Sequence, residues 1–242
     1  MKITLLGVAI DALTMEQSVD RIADFIKEGG PHRVLTLNPE FLYRAQSDPG
    51  LMELARRADL VTPDGIGIVW ACGMAGSPGL QRVTGIDLLL ALAPRAAQEQ
   101  WRVYLLGAAP GVAEEAALKL CQGYPGLQVV GTRHGYFQEG EEAAIAEQVR
   151  QTGAQLLFVA LGAPKQEQWI HRYLAQTGAS VAIGVGGSFD VIAGRVQRAP
   201  RWLQRLHLEW LGRLLREPSR WRRQLVLPRF AWLVFKKYRL GK

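Results

Sequence analysis

Cysteine is scarce in this 242-residue chain: Cys72 and Cys121 are the only two, too few for a disulfide scaffold and in no metal-ligand spacing. Reduced thiols in a cytosolic protein are the expectation, with neither cysteine a strong candidate for catalysis. Histidine is almost as thin, with His32, His134, His171 and His207 scattered along the chain. There is no Asp-x-Asp pair of the kind that holds a divalent metal on a nucleotide-sugar diphosphate, no Walker motif, no His-Glu-x-x-His and no Gly-x-Ser-x-Gly. A metal site is poorly supported and no cofactor is expected. Long apolar runs are missing as well. The run Ile3 to Ile10, ended by Asp11 without a small-residue cleavage site, reads as a first strand rather than a signal peptide. Leu225 to Phe235 is interrupted by Pro228 and Arg229 and falls well short of the ~20 residues that span a bilayer. Any contact with a membrane is therefore expected to be peripheral. Internal repeats and low-complexity tracts are absent too.

What the chain does have is apolar content for a large core, 48%, and a lopsided charge. From Arg195 to Lys242 there are fourteen Lys and Arg against two acids, Glu209 and Glu217, whereas the preceding residues hold fifteen basic side chains and twenty acids. The overall +7 thus belongs to one end. Four of the seven tryptophans, Trp202, Trp210, Trp221 and Trp232, are threaded among those cations. A basic, Trp-rich segment on an acidic body suggests a body that does chemistry and a tail that finds an anionic surface or substrate. Nucleic acid and anionic lipid both satisfy that description. The plainer alternative, about as frequent for a charge run, is a packed helical end with a solvated basic face.

Up to about Gly194, strand-like runs alternate with helical ones. Arg33 to Leu37, Trp101 to Leu106, Gln128 to Val130, Gln155 to Leu161 and Ser180 to Val185 are the clearest strands; Met15 to Lys27, Ile86 to Gln98, Val112 to Gln122, Glu141 to Gln151 and Lys165 to Ala175 carry apolar residues at helical spacing. The alternation predicts an α/β fold, Rossmann-like, with a mainly parallel sheet and helices on both faces. Residues 1–195 form the expected catalytic domain and residues 196–242 a helical, basic appendage divided by Pro200, Pro218 and Pro228.

Ligands of such sheets bind beyond the carboxyl ends of the strands, and here those positions are polar or glycine-rich. Thr36 and Asn38 close one strand; there an amide and a hydroxyl can meet sugar hydroxyls, although Asn38 before Pro39 is more often a turn residue. Asp64, between Pro63 and Gly65, is placed to act as a general base, although a lone Asp before a helix is more often its cap. Gly107 to Gly111 is a strand, a small-residue turn and a helix start, a phosphate-binding arrangement. It lacks the Gly-x-Gly-x-x-Gly spacing, so phosphate site and tight turn stand level. Gly162-x-Pro164-Lys165-Gln166-Glu167 puts a cation, an amide and an acid on one helical turn, where Lys165 can face a diphosphate or solvent and Glu167 can simply complement the helix dipole. Gly186-Gly187-Ser188-Phe189-Asp190 repeats the theme. Several polar strand ends on one rim are harder to dismiss than any one of them.

Taken together and in order, Thr36-Leu37-Asn38-Pro39-Glu40, Asp59-Leu60-Val61-Thr62-Pro63-Asp64-Gly65, Arg82-Val83-Thr84-Gly85, Leu106-Gly107-x-x-Pro110-Gly111, Gly162-x-Pro164-Lys165-Gln166-Glu167 and Gly186-Gly187-x-Phe189-Asp190 resemble the WecG/TagA/CpsF glycosyltransferases, glycosyltransferase family 26. Ala199-Pro200-x-Trp202 and Leu208-Glu209-Trp210 extend the likeness into the tail. The resemblance implies an inverting, metal-independent enzyme. Its donor would be a UDP-sugar, typically UDP-N-acetylmannosamine, and its acceptor an undecaprenyl-diphosphate-linked N-acetylglucosamine. The product would be a β-linked lipid disaccharide for teichoic-acid-type polysaccharide. UDP-glucose and UDP-N-acetylmannosaminuronic acid are the alternative donors. By the same resemblance Asp64 is the general base, Thr36, Asn38, Arg82 and Gln166 line the substrate pocket, and Gly107, Tyr136, Lys165 and Asp190 meet the nucleotide. Arg213, Arg220 and Arg223 are the matches for appendage arginines that reach the diphosphate, and the appendage docks on an anionic membrane. The expected location is cytoplasmic, peripheral to the inner face of the cell membrane, and a homo-oligomer is compatible with the sequence.

Two other classes compete. A nucleic-acid-binding protein would use the tail's tryptophans to stack on bases, but it leaves the polar strand ends unexplained, so nucleic acid is not an expected partner. A nicotinamide-dependent oxidoreductase is weaker, for want of the dinucleotide fingerprint.

Overall fold

The computed structural model describes residues 1–138, 140–200, 203 and 225–240. The first apolar run is a hairpin rather than the single strand its composition suggests: β1 (Lys2–Leu5) and β2 (Val8–Asp11) pair antiparallel with Ile3 opposite Ile10. The reason is the two-residue turn at Leu6 and Gly7, where both φ angles are positive, 48° and 87°, as a tight hairpin turn requires. Leu5, Val8 and Ile10 point into the core from this small separate sheet.

The main sheet has six parallel strands in the order β4-β3-β8-β7-β5-β6. They are β3 (His32–Leu37), β4 (Leu60–Pro63), β5 (Arg102–Gly107), β6 (Gln128–Arg133), β7 (Leu156–Ala160) and β8 (Val181–Gly184). The intervening helices are α1 (Met15–Glu28), α2 (Pro39–Ala45), α3 (Pro49–Arg56), α4 (Ile66–Met74), α5 (Gly85–Gln98), α6 (Val112–Gly123), α7 (Glu142–Thr152), α8 (Lys165–Thr177) and α9 (Ser188–Ile192). The expected α/β architecture is present, with helices on both faces. Local chemistry sets the starts. Thr14 and Gln17 form a reciprocal capping box on α1, and Asn38, Asp48 and Thr84 cap α2, α3 and α5 with their side chains.

Three apolar clusters hold the layers together. On one face, α1, α5, α6 and α9 pack on Val34, Leu105, Phe158 and Ile183. On the other, α7 and α8 cover Leu106, Leu157 and Ala182, while the hairpin, α2, α3 and α4 cover Leu35, Leu37 and Val61. The hairpin also protects the β4 edge, since the Asp11 carboxylate accepts a hydrogen bond from the Val61 N–H at 2.9 Å.

The last described α-helix, α10 (Val226–Phe235), is packed into the body rather than held out from it. Phe230 and Val234 are buried in the same cluster as the hairpin and α2, and the Leu6 N–H donates to the Tyr238 hydroxyl at 3.0 Å. Pro228 does not interrupt this helix, because it falls in the first turn, where its missing N–H has no intrahelical partner to lose. Among the described residues no helix is long and apolar enough to cross a membrane.

Candidate active site

The segments leaving β3 and β8 turn to opposite faces of the sheet: α2 joins the hairpin side through Phe41 and Leu42, and α9 joins the other through Phe189. Adjacent parallel strands whose connections diverge leave a crevice at their carboxyl ends. A cavity of about 510 Å³ lies there, and Thr36, Asn38, Asp64, Arg82 and Gln166 all line it. The four expected substrate-pocket residues and the expected base Asp64, contributed from four separate places in the sequence, are thus brought together.

Each is held by its own local structure. Thr36, at the end of β3, donates its hydroxyl proton to the Gly184 carbonyl at 2.8 Å, so its oxygen can offer a ligand only an acceptor. Asn38 caps α2 by accepting from the Phe41 N–H at 2.9 Å. The capping bond matches the turn-residue reading, and Asn38 also lines the cavity. Asp64 is not the cap of α4: that position belongs to Gly65, at φ 98°, with no side-chain cap. The acid is half-buried on the cavity wall, its backbone N–H tied to the Leu37 carbonyl at 2.8 Å. It is the only carboxylate among the described lining residues.

Gln166 is buried, and its Oε1 accepts from the Gly186 N–H at 3.0 Å while its Nε2 donates to Glu167 Oε1 at 2.8 Å. These two bonds fix which way the amide faces and leave one Nε2 proton for a ligand. The fit depends on Gly184, where a Cβ would stand 2.5 Å from Gln166 Nε2. Glu167 sits in the first turn of α8, where an acid can complement the helix dipole, and its side chain turns inward. Oε2 is buried without a partner among the described residues, and burial pushes the carboxyl up to about 7 against the lowering effect of its hydrogen bonds.

Arg82 lies near a second acid that the sequence reading did not single out. Asp87, in the first turn of α5, accepts from the Thr84 hydroxyl at 2.7 Å and pairs with Arg198 at 2.7 Å, with Arg82 4.0 Å away. Burial alone would raise its pKa. The hydrogen bonds from Arg198 and Thr84, with the charges of Arg198 and Arg82, outweigh that and hold it below the usual carboxylate range. Arg198 thereby ties the start of the appendage to the rim of the cavity.

The expected nucleotide residues do not line this cavity. Gly107 and Tyr136 sit over the neighbouring β5 and β6 ends. Gly107 has φ 131°, and a Cβ there would meet the Ala160 backbone at 2.5 Å, so the glycine is required by close packing whatever the turn binds. Gly135 packs against Gly107 in turn, and the adjoining Tyr136 is 74% exposed after β6, the edge strand on the far side of β7 and β5 from the cavity. Asp190 is half-buried in the first turn of α9, and Lys165 is exposed at the start of α8. Arg213, Arg220 and Arg223 lie outside the described residues.

Sequence reasoning missed the apolar side of the cavity. Trp70 of α4 and Leu227, Phe230 and Ala231 of α10 form it. The i, i+3, i+4 spacing of the last three was the available signal, obscured by treating Pro228 as a break.

The model of the glycosyl transferase WecG/TagA/CpsF family matches residues 3–242. A protein of Bacillus spizizenii is 39% identical over 206 residues, 85% of this chain and 79% of its own length. A Bacillus subtilis protein is 36% identical over 84% of this chain and 79% of its own, and a Staphylococcus aureus protein 33% identical over 98% and 94%. All three are named N-acetylglucosaminyldiphosphoundecaprenol N-acetyl-beta-D-mannosaminyltransferase. The match runs through every strand end that lines the cavity and on through the basic tail, and the chain belongs to the glycosyl transferase WecG/TagA/CpsF family.

Proposed function

We propose that this enzyme transfers N-acetylmannosamine from UDP-N-acetylmannosamine to the N-acetylglucosamine of an undecaprenyl-diphosphate-linked acceptor. The transferred sugar and the acceptor follow the names of the three relatives, and UDP as the sugar's carrier is the part of this reading that goes beyond those names. The observation that carries the chemistry is the single carboxylate, Asp64, on a cavity wall that also offers Arg82 and the amides of Asn38 and Gln166. Asp64 removes the proton of the acceptor hydroxyl, whose oxygen attacks the anomeric carbon of the donor from the face opposite the nucleotide. The bond from that carbon to the diphosphate breaks, UDP leaves with the electron pair, and the anomeric configuration inverts. Arg82, joined by the arginines of the appendage, meets the charge that builds on the departing diphosphate without requiring a metal. The uridine is assigned to the Tyr136 ring and Asp190, both outside the cavity lining, with Gly107 and Lys165 toward the phosphates.

A lipid-linked acceptor brings the enzyme to a membrane surface, and α10 supports peripheral attachment. Trp232, 61% exposed, stacks on the exposed Phe235 at 6.1 Å, with Arg229, Lys236, Lys237 and Arg239 around them. Tryptophan favours the interface, and each cation near anionic headgroups adds ~1 kcal/mol.

The test is UDP release on mixing the enzyme, UDP-N-acetylmannosamine and a prenyl-diphosphate-N-acetylglucosamine in chelator. Release should follow the acceptor's presence and give a β-linked disaccharide. No release from any UDP-sugar refutes the transfer; release only after a divalent metal is restored refutes the metal-free route alone.

A further inference from the structure

The cavity has two chemically different ends. The strand ends supply Asp64, Arg82, Thr36 and Gln166, whereas α4 and α10 supply an apolar wall of Ile66, Trp70, Leu227, Phe230 and Ala231. Along α4 the lining continues from Ile66 to Trp70, a displacement of ~6 Å along the helix axis away from the Asp64 end. Opposite it, Leu227, Phe230 and Ala231 present one stripe of α10. Phe230 is buried and belongs to the core, but Trp70 is 41% exposed while lining the cavity, which puts its indole at the mouth. A nucleotide sugar is polar throughout and gains little from such a wall. A molecule with a polar head and an apolar tail matches both ends at once. Outside the cavity lining, the same helix α10 exposes Trp232 and Phe235, stacked on each other, on the surface read above as facing the membrane.

We propose that Trp70, Leu227 and Ala231 seat the isoprene units next to the diphosphate of a prenyl-diphosphate acceptor, an inference that rests on reading this cavity as the acceptor site. The wall selects a prenyl chain at the enzyme itself, separately from any attraction to the bilayer. α10 then has two uses: its inner stripe holds the first part of the lipid chain, and its outer aromatics hold the surface from which that lipid comes.

The test separates these in solution without vesicles. Dissociation constants of farnesyl diphosphate and methyl diphosphate are measured by calorimetry for the parent, Trp70→Ala and Leu227→Gln. The parent should prefer the farnesyl compound by about tenfold or more, the affinity ratio expected when an aromatic and two aliphatic groups are covered. Each variant should cut that preference several-fold and leave methyl diphosphate binding unchanged, which also certifies the fold. Equal affinities in the parent overturn the proposal, as does a preference that survives both substitutions or a parallel loss of both ligands. A prenyl preference in a protein that transfers no sugar supports the wall and refutes the transfer reading; transfer without a prenyl preference does the reverse.

Discussion

Replacing Glu167 by Gln should make the enzyme more stable relative to its parent as pH rises. In the folded protein burial lifts this carboxyl from 4.5 to about 7, whereas in the unfolded chain it reverts to an ordinary value. Between those limits the folded state holds a proton that the unfolded state has released. Stability from this group is therefore fully present below about pH 4.5, falls through the window and is level above about 7. The difference converts to about 3 kcal/mol lost by the parent at pH 8 relative to pH 4.5. Glutamine keeps an Oε1 acceptor for Gln166 Nε2 and cannot ionise, so the variant escapes that loss. At roughly 2–4 °C per kcal/mol for a chain of this size, the gap in Tm should change by about 6–12 °C in the variant's favour from pH 4.5 to 8. Thermal and urea unfolding by circular dichroism at intervals across that range measure it. His171, four residues along α8, works in the opposite sense: burial, with the charges of Arg33 and Arg57, lowers its pKa against the pull of Glu53. Its stabilisation is present above its ordinary 6.5 and lost as pH falls, but it is common to both proteins and cancels in the comparison. A constant gap between parent and variant across the range would refute the reasoning, because Glu167 would then titrate as a solvated acid.

Three further outcomes follow from the geometry. Asp64→Asn should lower turnover by about 10²–10⁴-fold, the contribution of a positioned base, while UDP affinity by calorimetry changes little; near-parent UDP release would remove Asp64 from that role. Gly107→Ala should destabilise by roughly 2 kcal/mol or more, since its Cβ would stand 2.5 Å from the Ala160 backbone at a φ of 131°, and an unshifted urea midpoint would contradict the close packing. Phe230→Ala opens a cavity under α10 and should cost about 3–5 kcal/mol, with a rise in KM for the lipid acceptor exceeding that for the donor; a change confined to stability would mean α10 is a brace and not part of the acceptor wall.

Much of this protein was legible one segment at a time. Apolar residues at helical spacing placed α1, α5, α6, α7 and α8 to within about two residues, because periodicity records which side of an element is buried. The exception was the first run: Leu6-Gly7 is a turn by its backbone angles, and five further apolar residues around it hide that from composition. The site divides in the same way. Asp64, Thr36, Asn38 and Gln166 stood out as polar groups after strands, since in parallel sheets that is where side chains escape the core, whereas Arg82, between α4 and α5, came only from the family resemblance.

Only the tertiary structure decided what those groups are to one another. Strand order β4-β3-β8-β7 is not sequence order, so nothing local to Thr36 predicts that its hydroxyl meets Gly184, or that Gln166 is clamped between Gly186 and Glu167. It likewise decided that Gly65 and not Asp64 holds the N-cap position of α4, with Asp64 on the cavity wall, and that Glu167 faces inward where burial raises its pKa. For the basic tail, charge alone gave attraction to an anion without saying which. Packing of Phe230 and Val234 into the body set α10 against α4, and that contact, made between residues more than 150 positions apart, turned a charged appendage into the apolar wall of the cavity.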